Sequence, residues 1–529
     1  YMAHNKLNFT DMKLNLKDTF NIELPADKNL TNTRRQVLDA CYSFVTPKKP
    51  KKPSLIHFSD ELAKEIGLED YTLSKEFLEV FSGTTTSPNT NPFAMCYGGH
   101  QFGNWAGQLG DGRAINLFEI EHNDKHWALQ LKGAGETPYS RTADGLAVLR
   151  SSIREHLCSE AMYYLRVPTT RSLALMLSGD EVLRDVLYNG NPDYEKGAIV
   201  TRAAPSFIRF GNFQILASRK DFKNLKLLAD YTIKHFYPEI TITGKEKYLE
   251  FYQEVVNRTL KMVIEWQRVG FVHGVMNTDN MSILGLTIDY GPYGWLEDFN
   301  PDWTPNTTDS QNRRYRFGNQ PDIALWNLVQ LGNALYPLIG DIPAMEKILE
   351  DYNTLFDQQY HQMMKNKLGL EENYDNILHD DLQAVLKLTE TDMTIFYRNL
   401  SSVLKTDFAE NALEKISNAF YKPGEIKEKI KDNWIKWFNL YIERLGREYD
   451  LDAIRKEKMN LVNPKFVLRN YMAQLAIDAA DKEDYSVINE LYSMLKNPYD
   501  EQPHNEKWFA KRPDWARHKV GCSMLSCSS

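Results

Sequence analysis

The sequence predicts an α+β protein with a smaller, β-containing N-terminal lobe, a mainly helical C-terminal lobe and a C-terminal helical extension. The chain has 529 residues, which is too long for one simple core and favours two or more lobes. Residues 115–120 and 127–132 have the pattern of two strands joined by a polar turn at Asn123-Asp124-Lys125. From about residue 220 onward the apolar spacing is mainly helical.

Other elements follow from local patterns. Asp144 is the expected N-cap of a helix after the hairpin, and its apolar face comprises Leu146, Leu149, Ile153, Leu157 and Ala161. The apolar residues of 283–288 predict a short strand that leads to Asp289. The proline-rich residues 291–321 predict an extended loop, and 423–500 carries amphipathic helices.

Composition restricts the function classes. The net charge of −8 argues against general affinity for nucleic acid or anionic membrane, because both require a positive field. No apolar run approaches the ~18 residues of a membrane-spanning helix. Five cysteines in this length do not form a secreted disulfide framework. We therefore expect a cytoplasmic, bacterial-type chain without visible mitochondrial targeting.

The segment from His273 to Asn280, followed by Asp289-Tyr290-Gly291, has the spacing of a protein-kinase catalytic loop and its metal-binding motif. Val275 stands where a kinase has its base, and Asp279 is the available carboxylate. Asp279 could accept a proton from an attacking hydroxyl. Asn280 and Asp289 offer oxygen ligands for Mg²⁺ or Mn²⁺. The alternative is that all three are turn-forming residues.

Three further patterns suggest phosphate binding. Gly110 and Gly112 lie in a glycine-rich turn whose amides could approach phosphate oxygens, although a plain turn is an equal alternative. Lys132 ends a predicted strand and Glu155 lies on the next helix, as in the kinase ion pair. Arg202 and Arg209 could bind phosphates through their guanidinium groups, or could be ordinary surface arginines.

Near the C-terminus, Cys522 and Cys527 could form a reversible disulfide or be two inert thiols. Metal binding is not expected there, because only His518 lies nearby as a third ligand.

Several long strings together resemble the selenoprotein O family, pseudokinases that act as protein adenylyltransferases. The resemblance spans most of the chain, and its motifs are Tyr97–Gly103, Leu131–Gly135, Thr137–Arg141, Arg150–Glu155, Pro168–Arg171 and His273–Asn280. It implies a protein-kinase-like two-lobed fold that binds ATP in a flipped orientation. AMP would then pass to Ser, Thr or Tyr hydroxyls of proteins, and pyrophosphate would leave.

The resemblance also implies roles for individual residues. Asp279 would be the base, Asn280 and Asp289 would bind Mg²⁺ or Mn²⁺, and Lys132 and Glu155 would form the ion pair. The implied nucleotide contacts are Gly110, Gly112, Arg113, Lys132, Asp144, Gly145, Arg202 and Arg209. Family members named for selenocysteine carry it where this chain has Cys527, so the thiol weakens any redox role of the tail.

We therefore expect five segments: an N-terminal extension (1–90), the kinase-like N-lobe (91–215), the C-lobe with the catalytic loop (216–422), a helical extension (423–510) and a flexible redox tail (511–529). The expected partners are ATP and protein substrates, with no nucleic acid and no membrane. The alternative functions are a kinase that transfers the γ-phosphate and a nucleotide-binding scaffold without catalysis.

Overall fold

The structure is a computed structural model that describes residues 12–372, 375–522 and 524–526. It has the mixed α+β composition that the sequence predicts, with a sheet in the N-terminal part and helices in the C-terminal part. The strands are β1 (Tyr42–Phe44), β2 (Ser54–Phe58), β3 (Phe93–Met95), β4 (Gly98–Gln101), β5 (Asn104–Gln108), β6 (Ala114–His122), β7 (Lys125–Lys132), β8 (Ala147–Val148), β9 (Arg171–Arg184), β10 (Asp193–Ala204), β11 (Phe271–Val272) and β12 (Gly294–Trp295). The helices are α1 (Phe20–Glu23), α2 (Asp60–Glu65), α3 (Lys75–Phe81), α4 (Leu149–Tyr164), α5 (Phe210–Ser218), α6 (Phe222–Phe236), α7 (Glu246–Val269), α8 (Gln320–Ile339), α9 (Ile342–Lys367), α10 (Ile377–Leu386), α11 (Met393–Leu400), α12 (Ala409–Lys415), α13 (Glu428–Leu445), α14 (Asp452–Asn460), α15 (Asn470–Ala480) and α16 (Ser486–Leu495).

The main sheet is antiparallel and has the strand order β1-β3-β6-β7-β10-β9-β2, with β8 paired to β10. The predicted hairpin is confirmed as β6 and β7, and Asn123 and Asp124 at its turn have φ values of 49° and 60°. Positive φ at both central residues is the requirement of a type I′ turn. β1 and β2, which precede residue 91, complete the sheet at its two edges.

The prediction that Asp144 caps the helix is wrong. Helix α4 begins at Leu149, because Ala147 and Val148 first pair with β10 as the short strand β8. Asp144 instead accepts a hydrogen bond from the Leu146 amide at 3.0 Å. The predicted apolar residues of the helix proper, Leu149, Ile153, Leu157 and Ala161, are buried.

The predicted strand at 283–288 is also absent from the structure. Gly285 has a φ of 67° and packs so closely on the Arg258 backbone that a Cβ atom there would lie 2.7 Å from it. This glycine divides the apolar run, which then forms turns and two isolated bridges, at Ser282 and Thr287. These bridges join the segment to Arg209, which follows β10, and to Thr169, which precedes β9, and Asp289 comes two residues after the second bridge.

The C-terminal part is a set of packed helices. In α13 the aromatic face of Trp434, Phe438 and Tyr441 is buried, as the amphipathic pattern predicts. α15 and α16 pack against α4, which joins the end of the chain to the sheet-containing part. Among the described helices, none is both long enough and apolar enough to cross a membrane.

Candidate functional site

A chain of ion pairs joins the sheet, helix α4 and the loop at residue 289. Lys132 Nζ, at the end of β7, lies 2.6 Å from Glu155 Oε2, and Arg202 Nε lies 2.6 Å from Glu155 Oε1. Arg202 Nη1 in turn lies 3.1 Å from Asp289 Oδ1, and Arg209 pairs with Asp289 Oδ2. Lys132, Glu155, Arg202 and Arg209 are buried and the Asp289 side chain is 22% exposed, so the four buried charges depend on their neighbours for compensation.

The register of the sheet explains this arrangement. Lys132 pairs with Val200, and Gln130 pairs with Arg202. Residues two apart on a strand share a face, so Lys132 and Arg202 are diagonal neighbours on one side of the sheet. Glu155 on α4 lies between them and accepts a hydrogen bond from each, so the structure brings together the two residues that the sequence interpretation paired.

The environment lowers the pKa values of both Lys132 and Asp289, but for different reasons. Burial lowers the pKa of Lys132 to about 8, and the Glu155 charge only partly offsets that effect. Burial also acts on Asp289, but Arg209, Arg202 and Lys132 more than offset it and hold the pKa of that carboxyl far below its usual range. Asp289 is therefore ionised at any physiological pH.

His273 connects the catalytic-loop segment to the Asp289 segment. Its Nε2 donates to the Ile288 carbonyl at 2.8 Å, and its Nδ1 accepts from the Val275 amide at 3.3 Å. Burial lowers the pKa of His273, so the neutral ring with a proton on Nε2 fits both contacts. Asn280 Nδ2 donates to the Val275 carbonyl at 2.9 Å, which fixes its amide at the same loop.

Asp279 is a buried carboxyl group with one oxygen uncommitted. Its side chain is buried, and Oδ2 accepts from Gln101 Nε2 at 3.3 Å. Oδ1 is buried and has no hydrogen-bond partner within the described residues. Burial raises the pKa of Asp279 to about 6, which places the group closer to neutral pH than an ordinary aspartate.

Gln101 lies on a hairpin that sequence reasoning did not assign to the site. The hairpin comprises β4 and β5, and its tip forms hydrogen bonds with the loop that carries Asp279. The His100 amide donates to Thr278 Oγ1 at 2.7 Å, and the Phe102 amide donates to Asn277 Oδ1 at 3.1 Å. These contacts join residues that are far apart in sequence, so only the long Tyr97–Gly103 motif could have indicated them.

The glycine-rich turn approaches its neighbours closely. Gly110 has a φ of 84°, and a Cβ atom there would lie 2.5 Å from the Tyr139 ring. At Gly145, with a φ of 70°, a Cβ atom would lie 2.1 Å from the Gly135 carbonyl oxygen. Both positions therefore require glycine. Asp144, beside Gly145, forms two hydrogen bonds with Arg184 at 2.8 and 2.9 Å.

One cleft of about 910 Å³ brings most of the predicted side chains together. Its lining includes Gly110, Gly112, Arg113, Lys132, Asp144, Gly145, Arg202, Arg209, Asp279, Asn280 and Asp289. Glu155 does not line the cleft and lies behind Lys132. Tyr97, which the sequence interpretation used only as part of a motif, also lines it, and its ring packs against the Arg209 guanidinium group at 4.5 Å.

The donors in the cleft fit a hard divalent cation. Asp279 Oδ1 is buried without a partner, and the carboxylate and amide oxygens of Asp289 and Asn280 are of the type that Mg²⁺ and Mn²⁺ prefer. In the described ranges no three His, Cys, Asp or Glu side chains cluster as a metal site.

Of the two predicted redox cysteines, Cys522 does not line this cleft. Cys522 is buried, and burial raises the pKa of its thiol to about 11. Cys527 lies outside the described residues. Two residues before it, Leu525 exchanges backbone hydrogen bonds with the Pro305–Thr307 segment, since its amide donates to Pro305 and its carbonyl accepts from Thr307.

Comparison with known proteins gives a family match over nearly the whole chain. The sequence model of the family described as Protein adenylyltransferase SelO matches residues 26–496. A protein from Flavobacterium johnsoniae named Protein nucleotidyltransferase YdiU is 65% identical over 519 residues, covering 98% of this chain and 99% of the relative. Proteins of the same name from Rhodopirellula baltica and Aromatoleum aromaticum are 53% and 52% identical, covering 98% and 97% of this chain and 99% of each relative.

Proposed function

Because this chain belongs to the protein adenylyltransferase SelO family, we propose that it transfers AMP from ATP to Ser, Thr or Tyr hydroxyls of proteins and releases pyrophosphate. The observation that carries the proposal is the cleft in which Asp279 faces the ion-paired group of Lys132, Arg202, Arg209 and Asp289. It combines cationic groups for a triphosphate with a carboxyl group for an incoming hydroxyl.

We assign the fold to the protein-kinase-like class. Residues 91–215 would form the N-lobe, 216–422 the C-lobe and 423–510 the helical extension, with 1–90 before them and a redox tail at 511–529. The Lys132–Glu155 pair and the His273–Asn280 loop support this assignment, since a kinase uses the same relation between strand, helix and catalytic loop.

In this arrangement ATP lies in the flipped orientation, with its α-phosphorus toward Asp279. Lys132, Arg202 and Arg209 bind the β- and γ-phosphates, while Gly110, Gly112, Arg113, Asp144 and Gly145 line the outer part of the nucleotide site. Guanidinium groups suit phosphate because they donate two parallel hydrogen bonds. Because Gly110 and Gly145 have no room for a Cβ atom, the backbone at these two positions carries no side chain.

Asp279 acts as the general base. The acceptor oxygen attacks the α-phosphorus, its proton moves to the Asp279 carboxylate, and the bond from the α-phosphorus to the bridging oxygen breaks. Pyrophosphate leaves with the bonding electrons. Asn280 and Asp289 would hold Mg²⁺ or Mn²⁺, which when bound neutralises charge on the phosphates. A pKa raised by burial suits Asp279 for proton acceptance near neutral pH.

The direct test uses ATP labelled separately at the α- and γ-phosphorus. We expect label on protein from the α-position only, and intact mass should show the addition of AMP. Label from the γ-position alone would indicate a kinase, and no label on any protein would indicate a scaffold. Asp279→Asn should lower transfer by ~10²–10⁴-fold while nucleotide binding persists. Asp302→Asn, a change to an exposed carboxylate, is the matched control.

A further inference from the structure

An arginine-rich segment contacts the loop that carries Asp279, in a chain whose net charge is −8. Arg313-Arg314-Tyr315-Arg316 lies in the loop between β12 and α8, and the proposed AMP transfer does not use it. A concentration of positive charge in an acidic protein favours anionic partners at that place.

Arg314 is held in position by aromatic rings. Its guanidinium carbon lies 4.8 Å from the centre of the Trp326 ring, and a Cβ atom built on Gly103 would lie 3.4 Å from the same carbon. The group therefore lies between helix α8 and the tip of the β4–β5 hairpin. Stacking on an aromatic face leaves the edge of a guanidinium group available for bidentate contacts.

No acidic side chain neutralises Arg314 by direct contact within the described ranges. Asp309 is close, but its oxygens accept from the backbone amides of Arg314 and Tyr315 at 2.9 and 2.8 Å. Asp309 therefore acts on Arg314 only through its field and not through a direct ion pair. Arg316, by contrast, has an acidic partner, since its Nε lies 3.4 Å from Asp302 Oδ1. The half-buried Arg314 also has an Nε atom that is buried without a hydrogen-bond partner. A partly desolvated cation with its guanidinium group not directly ion-paired attracts a carboxylate more strongly than an exposed one does.

Arg314 is also near the reacting groups. The hydroxyl of the adjacent Tyr315 donates to Asn277 Oδ1 at 2.6 Å and accepts from the Phe102 amide at 3.0 Å. Asn277 is on the same short loop as Asp279, and Gln101, beside Phe102, contacts the Asp279 carboxyl group. An acceptor chain that approaches Asp279 along the tip of the β4–β5 hairpin would therefore pass close to Arg314.

We propose that Arg314, stacked on Trp326, selects acceptor proteins that carry an acidic side chain close to the hydroxyl that receives AMP. The selection rests on the proposed AMP transfer and adds a substrate class to it. Arg314 acts as a specificity-determining residue, and Asp279 remains the base for every acceptor.

The test compares three synthetic peptides that share one serine and differ only in having Glu, Gln or Lys on both sides of it. The native chain should modify the Glu peptide with a kcat/KM about tenfold above that of the Gln peptide, the effect of one charge-assisted contact. Arg314→Ala should remove this preference, and Arg314→Glu should transfer it to the Lys peptide. Arg316→Ala, which changes an arginine with its own partner, should leave the preference as in the native chain.

Fluorescence anisotropy of the same peptides on the nucleotide-loaded chain gives a second readout that needs no transfer. Arg314→Lys, which keeps the charge but loses the bidentate guanidinium group, should retain a reduced preference for the Glu peptide, and this partial retention would exclude a fold defect as the cause of the loss in Arg314→Ala. Equal use and equal binding of the Glu and Gln peptides by the native chain, or an unchanged Glu preference in Arg314→Glu, would overturn the proposal. Failure of the proposed AMP transfer is a separate result, because no acceptor would then take α-label while the binding preference could persist.

Discussion

Arg202 Nη1 lies 3.1 Å from Asp289 Oδ1, so the carboxylate proposed to bind the metal ion is held by a guanidinium group proposed to bind phosphate. Arg209 holds the other oxygen of the same carboxylate. A triphosphate is a stronger anion than one carboxylate and competes for both guanidinium groups. Nucleotide binding would thus release Asp289 at the moment when a cation is needed.

We therefore predict that Mn²⁺ binds the nucleotide-free chain weakly and binds at least about fivefold more tightly when a non-hydrolysable ATP analogue is present. Electron paramagnetic resonance can measure the free Mn²⁺, with the analogue alone as a correction. Asp289→Asn should abolish the additional affinity. Equal Mn²⁺ affinity with and without the analogue would show that the arginines do not block the ligand.

Glu155→Gln should strongly destabilise the fold, because it leaves Lys132 and Arg202 buried without their shared counter-charge. Removal of one partner from a buried ion pair costs about 3–5 kcal/mol in the free energy of unfolding. Glu195→Gln is the matched control, since Glu195 pairs with Arg150 at 2.9 Å in a more exposed setting, and should cost less than about 1 kcal/mol. Chemical denaturation measures both, and similar losses would contradict the prediction.

Gly99→Ala should impair Asp279, the proposed base, by crowding its carboxyl group. A Cβ atom at Gly99 would lie 2.5 Å from Asp279 Oδ1, so either the hairpin or the carboxyl group must move. Overpacking of this kind costs about 1–3 kcal/mol, and we expect AMP transfer to fall by at least about tenfold. Gly424→Ala, where a Cβ atom meets nothing within 4 Å, should retain native transfer. Native activity in Gly99→Ala would mean that the hairpin lifts off the loop freely.

Acid should destabilise the fold through His57 and His156. His57 Nδ1 lies 2.8 Å from His156 Nε2, and burial lowers the pKa of His57 to about 4 and that of His156 well below its usual range. Both rings favour the neutral form when folded, with Asp60 and Lys496 the charged groups acting on His57. The unfolded chain takes up protons below about pH 6.5, so stability should be full above that pH and fall toward pH 4.

The His57 share of this loss is up to about 3 kcal/mol, from the shift in its pKa. Thermal unfolding at a series of pH values measures the slope. His57→Gln should flatten it, and His504→Gln, a change to an exposed histidine, should not. An identical slope in all three chains would exclude the buried pair as the cause.

The sequence predicts the site better than the elements that position it. Lys132, Glu155, Asp279 and Asp289 could be selected because kinase-like spacing restricts which residue types stand where, and that spacing survives changes in local structure. The prediction that Asp144 caps the helix was wrong because β8 pairs with β10, and this tertiary contact moves the start of the helix to Leu149. Local propensity does not encode such a contact.

The hairpin at Gly98–Gln108 could not be predicted as a cover for Asp279 for a similar reason. Its hydrogen bonds to the loop at Asn277–Asp279 join residues that are 175 to 178 positions apart in the sequence. Short turns rich in glycine and polar residues also carry little periodicity. At the apolar run of residues 283–288, by contrast, the local pattern is strong but predicts the wrong structure. It has the composition of a strand, but Gly285 in the left-handed region breaks it.

Helix α4 is buried from Ser151 to Met162, with the sheet on one side and α15 and α16 on the other. A helix enclosed in this way has no open side toward which it could swing. The Lys132–Glu155 contact should therefore stay formed, which makes it unsuited to on–off control by rotation of α4. We expect the backbone amides of α4 to be among the slowest in the protein to exchange with deuterium.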